Sequence, residues 1–238
     1  MRLDARSVRT VALAAWAGLF LWLWITGESV RYLGPRTQWV IPLGAIGLSL
    51  AALGYARATR ERPSPRVPGR ELLGLLGLVL PILAAATLAH AELGSLAASN
   101  KLSARGVNPS ALARLASRNA DTIGFLQLNA AGRDKQLSSQ LGLSNGTPVH
   151  LVGFVSKSPS GRNGGFELSR FYITCCVADA VPIAVEVEAG PSAARRLNKD
   201  DWLDVTGPVQ HRPGTWVIHA ARLRHIKTPS DPYLTFTS

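Results

Sequence analysis

The sequence predicts an α-helical membrane part followed by an all-β domain. Three observations support this order. Long uncharged runs fill most of the first 91 residues. Hydrophobic residues make up 47% of the 238-residue chain, and charged residues only 17%, below the quarter that is typical of globular domains. Short stretches in which apolar and polar residues alternate begin at Thr147. The composition therefore favours a membrane protein that carries a separate β domain.

The predicted membrane domain, residues 1–91, contains three runs that are each close to the length needed to cross a bilayer. A spanning helix needs about 20 mainly apolar residues, and the spans are predicted at about 10–27, 37–56 and 72–91. The runs have no polar face, which argues against buried helices of a soluble protein. The first run starts like a signal peptide, but the following TGESVRYLG lacks a small-x-small cleavage pattern, so we expect a retained anchor.

The distribution of arginine predicts the topology. Lys and Arg outnumber Asp and Glu by 26 to 15 across the chain. The first connection carries few positive charges, whereas the N-terminus and the second connection carry clusters, Arg2, Arg6, Arg9, Arg57, Arg60, Arg62, Arg66 and Arg70. Because positive loops stay cytoplasmic, the N-terminus is predicted inside and everything from Glu92 onward outside. We expect a multi-pass protein of the cell membrane with an extracytoplasmic C-terminal domain.

The segment 92–146 is small, polar and basic, and we predict an extracytoplasmic tether. Within it, Asn108 and Pro109 are suited to start a short helix that ends near Arg118. TIGFLQL is typical of a strand or a packing segment, and KQLSSQLGLSNG of a helix that ends at an Asn–Gly turn. These elements are expected to be separate, short and loosely connected.

Residues 147–238 are predicted to form an OB-like β-barrel. Alternation predicts five strands, in TPVHLVGFVSK, FELSRFYITCC, VPIAVEVE, DWLDVTGPVQ and GTWVIHAARLRHI. A short helix and turn, GPSAARRLNKDDW, lie between the third and fourth strands, which is the element order of an OB fold. Gly153 and Gly207 allow the sharp coiling of a small barrel. A small open β-sandwich is the alternative.

A short motif that begins in the second predicted strand and ends just before the third carries a family resemblance. The motif runs from Arg170 and Phe171 through Cys175 and Cys176 to Asp179 and Ala180, and the chain closes with Pro229, Pro232 and Tyr233. With three preceding spans, this pattern resembles the small, accessory subunit of a two-component bacterial membrane permease, whose C-terminal domain has a Cys-Cys-x-x-Asp-Ala signature. The resemblance implies a multi-span permease subunit as partner, in addition to membrane lipid.

Three interpretations of the adjacent cysteines stay open. A disulfide between neighbours is geometrically poor, because bridged Cα atoms lie about 4.4–6.8 Å apart and consecutive ones only about 3.8 Å. A metal or metalloid site could use Cys175, Cys176, Asp179 and His219, since thiolates bind soft ions. Structural thiols are the third, with one cysteine in the barrel core as a small hydrophobe and Arg170 paired with Asp179 or Asp204. The sequence leaves the cofactor unknown.

The sequence thus favours an accessory permease subunit whose outer β domain caps or gates the partner or captures solute. The alternative is a membrane-anchored metal- or redox-sensing protein that uses the cysteine pair. No nucleophile-elbow, P-loop or paired-carboxylate motif is present, so we do not expect an enzyme. Aromatic residues are only 7% of the chain, many of them in the apolar runs, so we do not expect a nucleic-acid partner.

Overall fold

The structure is a computed structural model that describes residues 5–60, 74, 77–83, 93–104, 109–118, 122–160 and 163–234. The chain divides into two compact units, Met1–Glu92 and Leu93–Ser238. The first unit contains helices α1, Ala5–Thr26, and α2, Val40–Ala58, joined through two short 3-10 helices. These are the apolar runs that the sequence predicts as the first two spans.

Helices α1 and α2 pack closely against each other and leave most of their apolar surface exposed. Ile41 and Ala45 are buried between them, and a Cβ added to Gly44 would collide with the ring of Phe20. On the outer surfaces the side chains of Trp39 and Leu43 are 62% and 63% exposed. Exposed apolar surface of this extent is what a helix needs in order to face lipid.

Two helical segments, Ser7–Thr26 and Pro35–Ala58, are long and apolar enough to cross a membrane. Length and composition alone also fit other kinds of apolar helix, so they indicate membrane association without fixing an orientation. The third predicted span, 72–91, falls mainly outside the described residues, where only 74 and 77–83 are described, as helix. Three spanning helices therefore stay a prediction, with two apolar helices shown.

The second unit is built around a closed β-barrel, which confirms the OB-like prediction. Its strands lie in the order β1-β2-β3-β5-β4, and β4 pairs back onto β1. The β3–β5 pairing is parallel and the other barrel pairings are antiparallel. Because the sheet closes on itself, the open sandwich is excluded. The strands are β1 Pro148–Ser160, β2 Gly165–Tyr172, β3 Val181–Glu188, β4 Trp202–Arg212, β5 Thr215–His219, β6 Arg222–Ile226 and β7 Tyr233–Leu234.

Strands β5 and β6 form one bulged arm, and β7 is a two-residue strand that pairs only with β2, so the seven strands of the described residues make a five-stranded barrel. Both β5 and β6 pair with β4, and the register shifts by one residue between them, at Ala220 and Ala221. Such a bulge bends a strand and increases its twist. At this bend β4 comes so close that a Cβ on Gly207 would overlap the carbonyl oxygen of His219. The glycine predicted to permit coiling is thus required by a close backbone approach.

The predicted tether differs from the structure, because its described residues belong to the same compact unit as the barrel. The described residues of this segment form four helices, α3 Ser95–Ala104, α4 Pro109–Arg118, α5 Phe125–Ala131 and α6 Lys135–Gln140. Helix α5, in the segment expected to be a strand or packing element, buries Phe125, Leu126 and Leu128 in the main core. The many small residues that made the segment look like a tether permit close packing instead, as at Ala98, which is 1% exposed.

Candidate functional site

The signature, Arg170 to Ala180, covers the end of β2 and the loop that leads to β3. Arg170 and Phe171 are β2 residues, whereas the loop, residues 173–180, holds Cys175 and Cys176 and a 3-10 helix, Val177–Asp179. The two ends of this signature loop, Ile173 and Ala180, are buried, and its middle is at the surface. The structure therefore divides the signature into an anchored part and an exposed part.

Phe171 belongs to a second hydrophobic cluster, next to the main core. It is 1% exposed and its ring stacks on that of Phe154, with the centroids 5.6 Å apart and the planes at 18°. It also pairs in register with Tyr233 of the closing motif, in a short parallel strand contact. Ala98 of α3 and Trp202 complete the cluster around these rings. Phe171 is thus a packing residue that joins the closing motif to the barrel.

Arg170 holds the same closing segment through hydrogen bonds. Its guanidinium donates to the carbonyl oxygens of Asp231 and Pro232, and to that of Val152 on β1 at 3.4 Å. It also lies 6.0 Å from the ring centroid of Trp202, within cation–π range. Burial lowers the pKa of Arg170, opposed by the charge of Asp231. The expected ion pair of Arg170 with Asp179 or Asp204 was wrong, since other groups satisfy those carboxylates.

Asp179 closes the exposed part of the signature loop onto itself. Its carboxylate accepts hydrogen bonds from the backbone N–H of Cys175, at 2.8 Å, and of Thr174, at 3.2 Å. Burial alone would raise the pKa of Asp179, but hydrogen bonds from the Cys175 thiol and from backbone N–H groups outweigh it, and the pKa is lowered. An ionised Asp179 therefore fixes the backbone on which the thiols are carried.

The two thiols lie side by side at the surface. Cys175 is exposed and Cys176 half-buried, and their Sγ atoms are 3.7 Å apart, far beyond a disulfide bond length of about 2.05 Å. Neither thiol enters the barrel core, so the expectation of a core cysteine was wrong. Hydrogen bonding to the Asp179 carboxylate, then to Cys176, raises the pKa of Cys175 to about 11. At neutral pH the Cys175 thiol is therefore protonated and is suited to hydrogen bonding more than to nucleophilic attack.

Lys101 of α3 fastens the loop from the other side. Its Nζ donates to the carbonyl oxygens of Val177, Ala178 and Ala180, at 3.3, 3.1 and 2.8 Å. Helix α3 is itself held at its start, because the Asp200 carboxylate accepts from both the backbone N–H and the hydroxyl of Ser95. Asp200 does this from a left-handed backbone conformation, with φ of 70°. The helix therefore acts as a brace for the signature loop.

Three histidines of the barrel, His150, His219 and His225, lie beside partners away from the cysteine pair. His219, the predicted fourth ligand, lies 2.7 Å from Gln210 and 3.4 Å from Glu188. His150 contacts Asp204, and His225 lies 3.8 Å from Asp201. Within the described parts of the chain, no group of three or more His, Cys, Asp or Glu side chains is arranged to hold a metal ion. The structure brings Cys175, Cys176 and Asp179 together but does not add His219.

A groove of about 370 Å³ lies on another part of the barrel, between β1, β2, β3 and the start of β5. Its charged lining includes Lys157, which is 3.5 Å from Glu167, and Glu186, which is 3.7 Å from Arg212. This is the strand surface through which many OB folds bind ligands. None of the residues 170–180 lines it, so groove and signature loop are distinct sites.

Sequence reasoning missed Lys101 and Asp200, which organise the loop from a distance. Lys101 is 76–79 residues away from the carbonyls that it contacts. Asp200 is 105 residues from Ser95. Neither lies in a motif, and no local periodicity could have identified them. The local indication for Lys101 is that its long charged side chain follows a run of small residues.

Comparison with known proteins finds a family similarity in the C-terminal part of the chain. Residues 135–235 match the DUF1980 C-terminal domain. The barrel and its signature loop lie within the matched residues, so the specific part of the resemblance falls in this domain. No curated protein matches the chain. Among solved structures, the small single-stranded DNA-binding protein from Streptomyces coelicolor is 22% identical over 35% of this chain and 96% of its own, with a TM-score of 0.28.

Proposed function

We propose that this protein is the accessory subunit of a multi-span membrane permease, and that its barrel domain lies outside the membrane. There the barrel caps or gates the outer mouth of the partner, or captures solute for it. The observation that carries the proposal is the signature loop, whose tip is exposed while Asp179 and Lys101 hold its backbone. A fixed, exposed loop is suited to docking because little conformational entropy is lost on binding.

The apolar helices support the same proposal. The outward faces of α1 and α2 carry exposed leucine, isoleucine and tryptophan side chains, which lipid or the helices of a partner can cover. The lining of the barrel groove includes two glutamates, Glu167 and Glu186. Its aromatic residue, Phe166, is buried. A groove of this kind is poorly suited to a polyanion, because nucleic-acid surfaces combine positive charge with exposed aromatic rings. We therefore propose neither a nucleic-acid partner nor an enzymatic reaction.

A photocrosslinking experiment in native bacterial membranes tests the partnership. A photoreactive amino acid replaces Ala178, at the exposed loop tip, and in a matched control replaces Lys157, at the groove. We expect the loop position to crosslink to a multi-span protein encoded beside this chain, and the groove position not to. Crosslinking from neither position, with no multi-span protein co-purifying, would show that the chain is not a permease subunit.

A topology reporter tests the placement of the barrel separately. A reporter that is active only outside the cytoplasm is fused after Ser238. We expect it to be active, because the arginine clusters keep the N-terminus inside and the predicted spans then place the C-terminal domain outside. A reporter that works only in the cytosol would contradict the outer-mouth arrangement, even if a permease partner were found.

The exposed thiol pair favours a second candidate, a membrane-anchored metal- or redox-sensing protein. The two Sγ atoms are adjacent and accessible, as a sensor requires. This candidate predicts that Cys175→Ser and Cys176→Ser each abolish a cellular response to metal or oxidant without disturbing membrane insertion. Unchanged responses in both variants would exclude it and leave the permease proposal in place.

A further inference from the structure

We propose that Cys175 and Cys176 form a two-thiolate site for a tetrahedrally coordinated, thiophilic divalent cation. Lys101 and Asp179 act as positioning residues that keep the two sulfurs on the same side of the loop. The site extends the second candidate function by naming its ligand class, and it can be tested independently of any permease partner.

The spacing of the sulfurs supports this coordination. Two metal–sulfur bonds of about 2.3 Å to Sγ atoms 3.7 Å apart enclose an angle of about 107° at the ion, near the tetrahedral value. A linear two-coordinate ion would need the sulfurs about 4.6 Å apart with bonds of that length. The present geometry therefore needs little rearrangement for a tetrahedral ion and more for a linear one.

The loop, rather than a strand, makes a shared ion feasible. Successive side chains of a strand point to opposite faces, and adjacent cysteines there could not bind one ion together. Here β2 ends at Tyr172 and the cysteines follow in the irregular segment before the 3-10 helix. Asp179 fixes the backbone N–H of Cys175, and Lys101 fixes the carbonyls that follow Cys176. The backbone is thereby held both at the start of the thiol pair and just after it.

Binding the ion exchanges protons for metal. One divalent cation displaces the protons of both thiols, which leave to solvent, so that two metal–sulfur bonds replace two S–H bonds. The remaining two positions face the surface and are available to water or to ligands of a partner. A site with open positions of this kind can pass its ion on, unlike a closed structural site. Disulfide formation would instead require the sulfurs to approach from 3.7 Å to about 2.05 Å, with movement of the held backbone.

Cobalt(II) titration of the reduced full chain in detergent tests the site. The protein is purified through a tag without histidine, and thiolate-to-cobalt charge-transfer absorption and the number of reactive thiols are measured together. We expect one equivalent of cobalt(II) to produce the charge-transfer band and to protect two thiols. Cys175→Ser and Cys176→Ser should each abolish the paired-thiolate spectrum.

Variants of the brace distinguish positioning from direct ligation. Lys101→Met should weaken cobalt(II) binding about tenfold, as loss of an outer partner of a metal site does, while both thiols still react. Lys157→Met, at an exposed lysine away from the loop, is the matched control and should bind like the parent chain. Equal affinities of the two lysine variants would refute the positioning role.

The site itself is refuted by a different result. A band that persists in the Cys175→Ser, Cys176→Ser double variant, or no band at one equivalent in the parent chain, would overturn it. The urea midpoint of each variant is measured by pulse proteolysis, so that loss of binding is not confused with unfolding. A cysteine variant that unfolds is replaced by the corresponding alanine variant, and the same spectral criterion applies.

Discussion

The two parts of the signature lie within ten residues of each other and are held by opposite means. Phe171 is buried among aromatic rings and Arg170 binds carbonyls of the closing segment, so this part is fixed by packing and burial. Cys175 and Asp179 lie at the surface, and there hydrogen bonds fix the backbone. The comparison shows that a contiguous motif can combine residues that build the fold with residues that present chemistry. Substitutions in the two parts should therefore have unequal effects on stability.

The largest expected effect is that of Phe171→Ala. Removal of a buried aromatic ring leaves a cavity and typically costs about 3–5 kcal/mol of the free energy of unfolding. Urea pulse proteolysis of the full chain in detergent measures this loss. A loss below about 1 kcal/mol would contradict the packing role, because it would mean that the second cluster readily collapses around the missing ring.

The second-largest loss of stability is expected for Arg170→Met. The variant keeps much of the apolar stem but loses the hydrogen bonds to the carbonyls of Asp231 and Pro232, and we expect a cost of about 1–3 kcal/mol. Because the closing segment loses its anchor, limited proteolysis should cut within 227–232 sooner than in the parent chain. Arg195→Met, at an exposed position, serves as control. Equal cleavage in both variants would contradict the anchoring role.

Acid should destabilise the exposed part of the signature loop, which Asp179 holds. The folded-state pKa of Asp179 lies below its ordinary value, so its contribution to stability is present above the unfolded pKa of about 3.9 and is lost as pH falls through the folded pKa. The parent chain should exceed Asp179→Asn in thermal stability at pH 7, and the difference should shrink below about pH 4. Circular dichroism melts across pH 3–7 measure it, and a difference independent of pH would exclude this linkage.

The smallest effect is expected for Cys175→Ser. The thiol is at the surface and outside the cores, so the stability should change by less than about 0.5 kcal/mol, as for most surface substitutions. The same pulse-proteolysis assay applies to it and to Cys176→Ser. A loss comparable to that of Phe171→Ala would remove the distinction between the two parts of the signature.

Local patterns were sufficient for the barrel and insufficient for the brace. Alternation along β1 to β4 and the presence of glycine at position 207 are local features of the sequence, and they predicted strands and a bend that the structure contains. The start of α4 was likewise predicted from a local feature, the proline at its first position, Pro109. By contrast, the small and polar residues of 92–146 indicated a tether, and only the packing of Ala98 in the second cluster shows that part of this segment is buried.

The sequence by itself determined where apolar runs and strand alternation lie, since those depend on residues within one or two turns. It predicted a second strand that runs through both cysteines, whereas β2 ends at Tyr172 and the cysteines lie in the loop that follows. A site for a soft ion was one of three interpretations that the sequence left open. Only the tertiary structure decided that the Cys175 thiol is exposed and the Cys176 thiol half-buried, that they lie 3.7 Å apart and that Lys101 braces their loop. The reason is that barrel closure and helix docking join groups 76 or more residues apart, and no local pattern encodes those distances.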